Sequence, residues 1–284
     1  MSVRVFAPAK INLTLEVGRP RADGYHPLQS AVVFADVGDW IEAAPAHRLS
    51  LAISGPFAAG LQADETNLVM RAARLLDPAR GAAIKLEKHL PVASGIGGGS
   101  SDAAATLTAL NELWGLGRSK DDLAHVAAHL GADAPVCVRK HSAWITGAGE
   151  VVAAMAAPAL DAVLVNAGKP LPTPPVYRRF DEMDLGGAFE RRNRPDWTDP
   201  HDVVQAVLQC GNDLETPAIA LMQELAGVLA TLRAHPLALC AGLSGSGATC
   251  FALTRTAGDA AALAAELTAR NPAWWVRAAT LGAA

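Results

Sequence analysis

The chain has 284 residues, of which 51% are hydrophobic and 18% charged, with a formal net charge of −4. This balance excludes a disordered chain, and the missing basic excess argues against a nucleic-acid-binding surface. A chain of this length buries a sizeable core without disulfides or a structural metal, and corresponds to about two domains.

About one residue in five is alanine, far above ordinary usage. Aromatics are only 5%, with two tyrosines, Tyr25 and Tyr177. Cys137, Cys210, Cys240 and Cys250 show no CxxC spacing, so a metal cluster or redox pair is not expected and a reduced compartment is. Met1 to Phe6 is strand-like and lacks an apolar signal region. The longest apolar run, Val151 to Val165, is interrupted by Pro158 and Asp161 and is too short to span a bilayer. A soluble, cytoplasmic protein with no membrane partner is expected.

In chain order, the patterns predict strands at Val3–Phe6, Ile11–Val17, Ser30–Phe34, Trp40–Ala43 and Leu49–Ser54, with a turn at Arg19 to Gly24. A helix at Asn67–Leu76 and a strand at Ala83–Lys88 follow. Helices are predicted at Ser101–Trp114 and Lys120–Leu130, the second capped by Ser119. An apolar strand is expected just after Pro135, then strands at Ala143–Thr146 and Ala162–Asn166. Lys169 to Pro175, rich in proline, reads as extended or looped. Between Arg178 and Asp202, 12 of 25 residues are charged, which fits an exposed connector or surface helices. The remainder predicts a helix at Pro217–Ala234, strands at Ala238–Ser244 and Thr249–Leu253, a helix at Gly258–Asn271 and a strand at Trp275–Ala279. A domain boundary is expected near residue 155, giving domains 1–155 and 156–284.

The strongest local signal is Pro91-Val92-Ala93-Ser94-Gly95-Ile96-Gly97-Gly98-Gly99-Ser100-Ser101, directly before an Ala-rich helical pattern. Phosphate oxygens need several N–H donors converging on one point. Glycine lets backbone approach and adopt positive φ, and a helix N-terminus adds unpaired N–H groups and a favourable dipole. Ser94, Ser100 and Ser101 add hydroxyls able to donate to phosphate or ligate Mg²⁺. There is no GxxxxGK[ST], so this is not a Walker A loop. Gly95-Ile96-Gly97 begins a dinucleotide-like pattern, but Ser100 holds the third glycine position and no acidic residue ends a following strand, which weakens an oxidoreductase reading. A GxSxG nucleophile elbow is absent.

A second loop, Gly242-Leu243-Ser244-Gly245-Ser246-Gly247-Ala248, joins two strand-like runs. Alone it reads as a tight glycine hairpin; beside the first loop it would close over the same phosphates. Lys10 lies in Pro8-Ala9-Lys10-Ile11-Asn12-Leu13, where a lysine is ordinarily a solvated cation. Asp133 lies in Gly131-Ala132-Asp133-Ala134-Pro135, where an Asp is ordinarily a cap or Asx-turn residue. His125 and His129 have i,i+4 spacing but no Glu after the first His, so a plain helix is favoured over a zinc motif.

Taken in chain order and spacing, Pro8–Leu13, Pro91–Ser101, Gly131–Pro135 and Leu243–Ala248 resemble the GHMP small-molecule kinases. Arg21-Ala22-Asp23-Gly24-Tyr25-His26 and Asn212-Asp213-Leu214-Glu215 resemble the subfamily acting on a cytidine-diphosphate-linked methylerythritol. The resemblance covers about Val3 to Leu253. It implies an α+β, two-domain fold, with an N-terminal part like ribosomal protein S5 domain 2, a C-terminal α/β sandwich and an active site in the interdomain cleft. It also implies an ATP-dependent, Mg²⁺-assisted transferase of non-mevalonate isoprenoid biosynthesis that phosphorylates the substrate's 2-hydroxyl.

Residue by residue, the resemblance makes Asp133 the general base, with Lys10 beside it to keep it ionised and stabilise transferred charge. The loop Pro91 to Ser101 holds ATP, with Asn67 at the adenine. Tyr25, His26 and Tyr177 grip the cytosine, His26 also reading its polar edge. Asn12, Gly245 and Ser246 complete the substrate site. No direct protein ligand of the metal is assigned. Other GHMP members, such as homoserine or mevalonate kinase or a diphosphomevalonate decarboxylase, remain alternatives. Tyr25-His26 argues against them because they have no cytosine to stack. A non-catalytic nucleotide-binding protein is opposed by the presence of both Lys10 and Asp133.

Overall fold

The computed structural model describes residues 1–187 and 189–282. Its elements, in chain order, are β1 (Val3–Val17), β2 (Leu28–Pro45), β3 (Ser50–Ser54), α1 (Leu68–Leu76), β4 (Ala82–Glu87), α2 (Gly98–Leu113), α3 (Lys120–Ala128), α4 (Ala134–Arg139), β5 (Ala143–Thr146), β6 (Val151–Ala154) and β7 (Leu160–Asn166). The chain continues with α5 (Thr173–Glu182), α6 (Pro200–Cys210), α7 (Glu215–Leu221), α8 (Glu224–Arg233), β8 (Ala238–Leu243), β9 (Thr249–Thr254), α9 (Ala257–Arg270) and β10 (Trp275–Leu281). Among the described residues no helix is long and apolar enough to cross a membrane.

Two compact units are built from interleaved stretches of chain. One comprises Met1–Ala9, Gly38–Val92 and Gly97–Lys140; the other comprises Lys10–Val37, Ala93–Ile96 and His141–Ala284.

In the first unit the C-terminal half of β2 runs antiparallel to β4, from Trp40 opposite Glu87 to Pro45 opposite Ala82. β3 adds in parallel on the other side of β4, Ser50 opposite Ala83. Helix α2 packs on α1 and α4. Its buried residues are small, Ala103, Ala104, Ala105 and Ala109, with Leu107 and Leu110. Small side chains let helices approach closely at native packing density, which is where the alanine excess is spent.

In the second unit the sheet order is β2, β10, β7, β9, β8. β10 and β7 are antiparallel over seven residue pairs, Trp275 opposite Asn166 through Leu281 opposite Leu160. Because the central strand β7 is covered on both faces, Ala162–Val165 is a continuous buried apolar run. A core including Val163, Val165, Val176, Phe180, Leu225, Leu229, Phe251's neighbours Cys250 and Ala252, and Leu263 joins the sheet to α5, α7, α8 and α9.

Several local expectations are corrected. The two predicted N-terminal strands are one strand, β1. Pro8 lacks an N–H, but its fixed φ suits extended backbone, and its carbonyl accepts from Ser101 Oγ at 2.6 Å. Likewise Ser30–Phe34 and Trp40–Ala43 belong to one strand, β2. The apolar strand expected after Pro135 is helix α4. Its valines favoured strand, but Pro135 is acceptable in a first helical turn, and Val136, Cys137 and Val138 bury themselves as α4 packs on α2 and α3. The looped reading of Lys169–Pro175 is overturned from Thr173 onward, where α5 begins with prolines in its first turn. The helix predicted at Pro217–Ala234 is two, α7 and α8, broken at Met222 and Gln223.

Candidate active site

The glycine loop is held by its carbonyls. Ala93 O accepts from Leu171 N at 2.8 Å, Ser94 O from Thr249 N at 3.0 Å and Ile96 O from Lys10 N at 2.9 Å. Gly95 O accepts from Ser244 Oγ at 3.0 Å. Four consecutive acceptors are thereby engaged within the second unit. Helix α2 then starts behind Gly97, its N-cap at φ 63°, with no side-chain cap. The first α2 N–H used within this turn is that of Ser101, which donates to Gly97 O at 2.9 Å. Gly98, Gly99 and Ser100 thus present N–H groups without intrahelical partners at the positive end of the helix dipole. A loop whose carbonyls are engaged and whose helix start is uncapped by a side chain matches an anion.

The second loop braces the first. A Cβ on Gly95 would lie 2.3 Å from Ser244 O, and one on Gly245 would lie 2.7 Å from Gly95 O. Gly95 also has φ +73°, so no other residue fits there. Asn212 Nδ2 holds the second loop by donating to Leu243 O and Gly245 O, both at 2.8 Å. Ser246 is buried, and its Oγ lies 2.8 Å from Thr173 Oγ. The hairpin reading and the packing of the two loops are therefore both realised in this unit.

The loop's stems are clamped by a buried charge cluster within the first unit. Asp39 Oδ1 accepts from the backbone of His89 at 2.5 Å and Leu90 at 2.8 Å. Asp39 Oδ2 takes the Lys88 ammonium at 2.5 Å, and Lys88 also reaches Asp102 Oδ2 at 2.6 Å. Residues 88–90 enter the loop and Asp102 lies in α2 just after it. All three charged side chains are buried. Burial pushes the Asp102 carboxyl up to about 7 against the pull of Lys88. For Lys88 burial acts downward, but Asp102 and Asp39 outweigh it and hold its ammonium above the ordinary lysine value. None of these residues was singled out from sequence for a charge role. A signal existed: Ala82, Ile84 and Leu86 are the buried positions of β4, and period-two alternation puts Lys88 on the same face.

Lys10 is not a solvated cation; it is 4% exposed, within β1. Asn12, two residues on, is anchored by its backbone N–H to Ser244 Oγ at 3.1 Å and by Nδ2 to Ser30 Oγ at 2.7 Å. Its Oδ1 is buried with no hydrogen-bond partner, a state that costs about 1–3 kcal/mol unless a ligand satisfies it. Asp133 is half-buried at the start of α4, and its side chain does not cap that helix. The cap alternative for Asp133 therefore fails. Asn67 does cap, its side chain accepting from Val69 N at 3.0 Å and donating to Gln62 O at 2.8 Å.

The predicted base-gripping residues separate into two environments. Tyr25 is 64% exposed, on the turn after Gly24. His26 is buried, its ring centroid 5.0 Å from that of Tyr177 and 5.8 Å from that of Phe180. Pro91 and Ser94 are buried in the loop, while Val92 and Ala93 are exposed. The Ser101 hydroxyl is buried and spent on Pro8 O. Among the described residues no cluster of three or more His, Cys, Asp or Glu could hold a metal ion.

The chain matches the GHMP kinases N terminal domain over residues 67–141 and the GHMP kinases C terminal over residues 199–273. A 4-diphosphocytidyl-2-C-methyl-D-erythritol kinase from Cereibacter sphaeroides is 50% identical over 280 residues, 97% of this chain and 98% of that protein. One of the same name from Paracoccus denitrificans is 47% identical over 282 residues, 99% of this chain and 97% of that protein. A crystal structure of 4-(cytidine 5'-diphospho)-2C-methyl-D-erythritol kinase aligns with TM-score 0.79 at 34% identity, covering 99% of this chain and all 100% of that one. Homoserine kinase from Cytophaga hutchinsonii shares the fold, with TM-score 0.70 at 18% identity over 98% of this chain and 94% of that one. An anion-ready glycine loop at a helix start and relatives that span the chain from end to end have one meaning: the chain belongs to the GHMP kinases, a family of small-molecule phosphotransferases.

Proposed function

We propose that this kinase transfers the γ-phosphoryl group of ATP to the 2-hydroxyl of 4-diphosphocytidyl-2-C-methyl-D-erythritol, giving the 2-phosphate and ADP. The observation that carries the substrate assignment is half identity to kinases of that name across nearly the whole chain. The carbonyl-anchored loop supports the ATP assignment.

Phosphoryl transfer demands positioning and charge stabilisation more than covalent chemistry. In this reading the N–H groups of Gly98, Gly99 and Ser100 hold phosphate oxygens, and loop residues Pro91 to Ile96 shape the approach. Asp133, half-buried at the start of α4, accepts the proton of the attacking hydroxyl, the role its motif has in the family. Lys10, an ammonium kept from solvent, stabilises the developing negative charge in a low-dielectric setting. A bound Mg²⁺ would neutralise charge on the β- and γ-phosphates; the Ser100 hydroxyl is the protein group available to it. Asn12 Oδ1, buried without a partner, supports a substrate hydroxyl as its donor. Asn67 contributes to the nucleotide site by fixing the start of α1. Tyr25, His26 and Tyr177 hold the cytosine, and Gly245 and Ser246 support the loop beneath the substrate.

An ATP-consumption assay tests the substrate directly, with the cytidine-linked methylerythritol, mevalonate, homoserine and galactose as acceptors. Turnover of the first alone is expected; turnover confined to one of the others overturns the reading. Tyr177→Ala should raise KM for the cytidine substrate about 5- to 100-fold, as expected from about 1–3 kcal/mol of base stacking. KM for ATP should change little. An equal rise in both would remove Tyr177 from base binding.

A further inference from the structure

We infer that Asp181, which no motif marks, is a positioning residue that sets the cytosine preference by fixing the ring of His26. The inference rests on the assignment of His26 and Tyr177 to base binding. Tyr177, Phe180 and Asp181 lie at i, i+3 and i+4 on α5, which puts them on one helix face. All three meet His26. Tyr177 and Phe180 flank its ring with tilts of 48° and 81°, and Asp181 Oδ1 lies 2.8 Å from His26 Nε2. The His26 side chain is 8% exposed and that of Asp181 is 42% exposed. One helix thus supplies both the apolar walls and the polar stop for a single imidazole.

The chemistry follows from the partner. An ionised carboxylate only accepts hydrogen bonds, so Nε2 carries the proton and donates it. In neutral His26 this leaves Nδ1 as an acceptor. An acceptor suits the exocyclic amino group of cytosine, a donor. Uracil has a carbonyl oxygen at that position and is repelled. Without Asp181 the tautomer and ring angle lose their anchor, and discrimination weakens even though the stacking rings remain. Arg179, on the same helix, pairs with Glu182 at 3.1 Å and does not compete for the Asp181 carboxylate.

The test uses the full-length enzyme, with the cytidine substrate and its uridine counterpart. Asp181→Ala should raise KM for the cytidine substrate about tenfold, the size of one charge-assisted hydrogen bond. kcat and KM for ATP should stay within about twofold, and cytidine-over-uridine selectivity should fall by a similar factor. Asp181→Asn retains an oxygen that accepts from Nε2–H and should rescue most of the loss. Nitrogen-15 NMR of the imidazole should show the Nε2–H form in the wild type and a tautomer mixture in Asp181→Ala, a readout that holds whatever the effect on stability. If His26→Ala raises KM while Asp181→Ala leaves KM and selectivity unchanged, the inference fails and base binding by His26 stands. If His26→Ala itself leaves KM unchanged, the base-binding reading fails and takes the inference with it.

Discussion

Asp133→Ala is expected to lower kcat by about 10²–10⁴-fold, the range of a positioned general base, with ATP binding retained. The Asp133 carboxylate accepts no capping hydrogen bond at the start of the six-residue helix α4, so removing it breaks no capping bond. Pro135 in the first turn continues to set the helix start. Asp133→Asn should be nearly as inactive, because an amide keeps the shape but cannot take the proton. Single-turnover kinetics and calorimetric ATP titration separate the two effects. Turnover close to wild type in Asp133→Ala would remove it as the base.

Lys88→Met is expected to destabilise the fold by about 3–5 kcal/mol, the cost of stranding buried charge when one partner of an ion pair is removed. Here two carboxylates lose their cation together, since Asp39 and Asp102 both pair with Lys88. The pH dependence has a definite sign. The folded Asp102 carboxyl is raised to about 7 by burial, whereas an unfolded Asp titrates near ~3.9. Between those values the folded chain binds the extra proton, so this residue's contribution falls as pH rises. With Lys88 gone the fall should steepen, leaving Lys88→Met closer to wild type at pH near ~5 than near ~8. Adding Asp102→Asn should recover part of the loss. Urea unfolding at the two pH values decides it; a loss below about 1 kcal/mol with no pH dependence would mean the cluster is not coupled as its geometry implies. Because Asp39 also binds the backbone of His89 and Leu90, the same variant should loosen the loop and weaken ATP binding.

The elements most legible in the sequence were those whose signal is local. Asn67–Leu76 reads as a helix because an Asn cap precedes an amphipathic run, and α1 has both. Ser119 caps α3 as expected, with Asp122 completing a capping box. Helix α4 and the start of α5 were misread because valines and prolines carry opposite local preferences to the structure they adopt. Burial against α2 and α3 decides α4, and a first-turn allowance for proline decides α5. At the candidate site, residue types in the glycine loop announced anion chemistry. Their orientation was not readable, because it depends on Leu171, Thr249, Ser244 and Lys10, each distant in the chain.

The chain is Ala-rich and acidic, with few aromatics. Its motifs showed the resemblance to the GHMP kinases, and the glycine loop by itself pointed to phosphate binding, since a phosphate loop needs only consecutive small residues leading into a helix. Only the tertiary structure decided how charge is managed around that loop. Asp39 meets Lys88 across 49 residues and Asp181 meets His26 across 155. The alternation of β4 marks the Lys88 position as buried, but neither pairing is legible locally, because only folding brings partners so distant in the chain within hydrogen-bond distance.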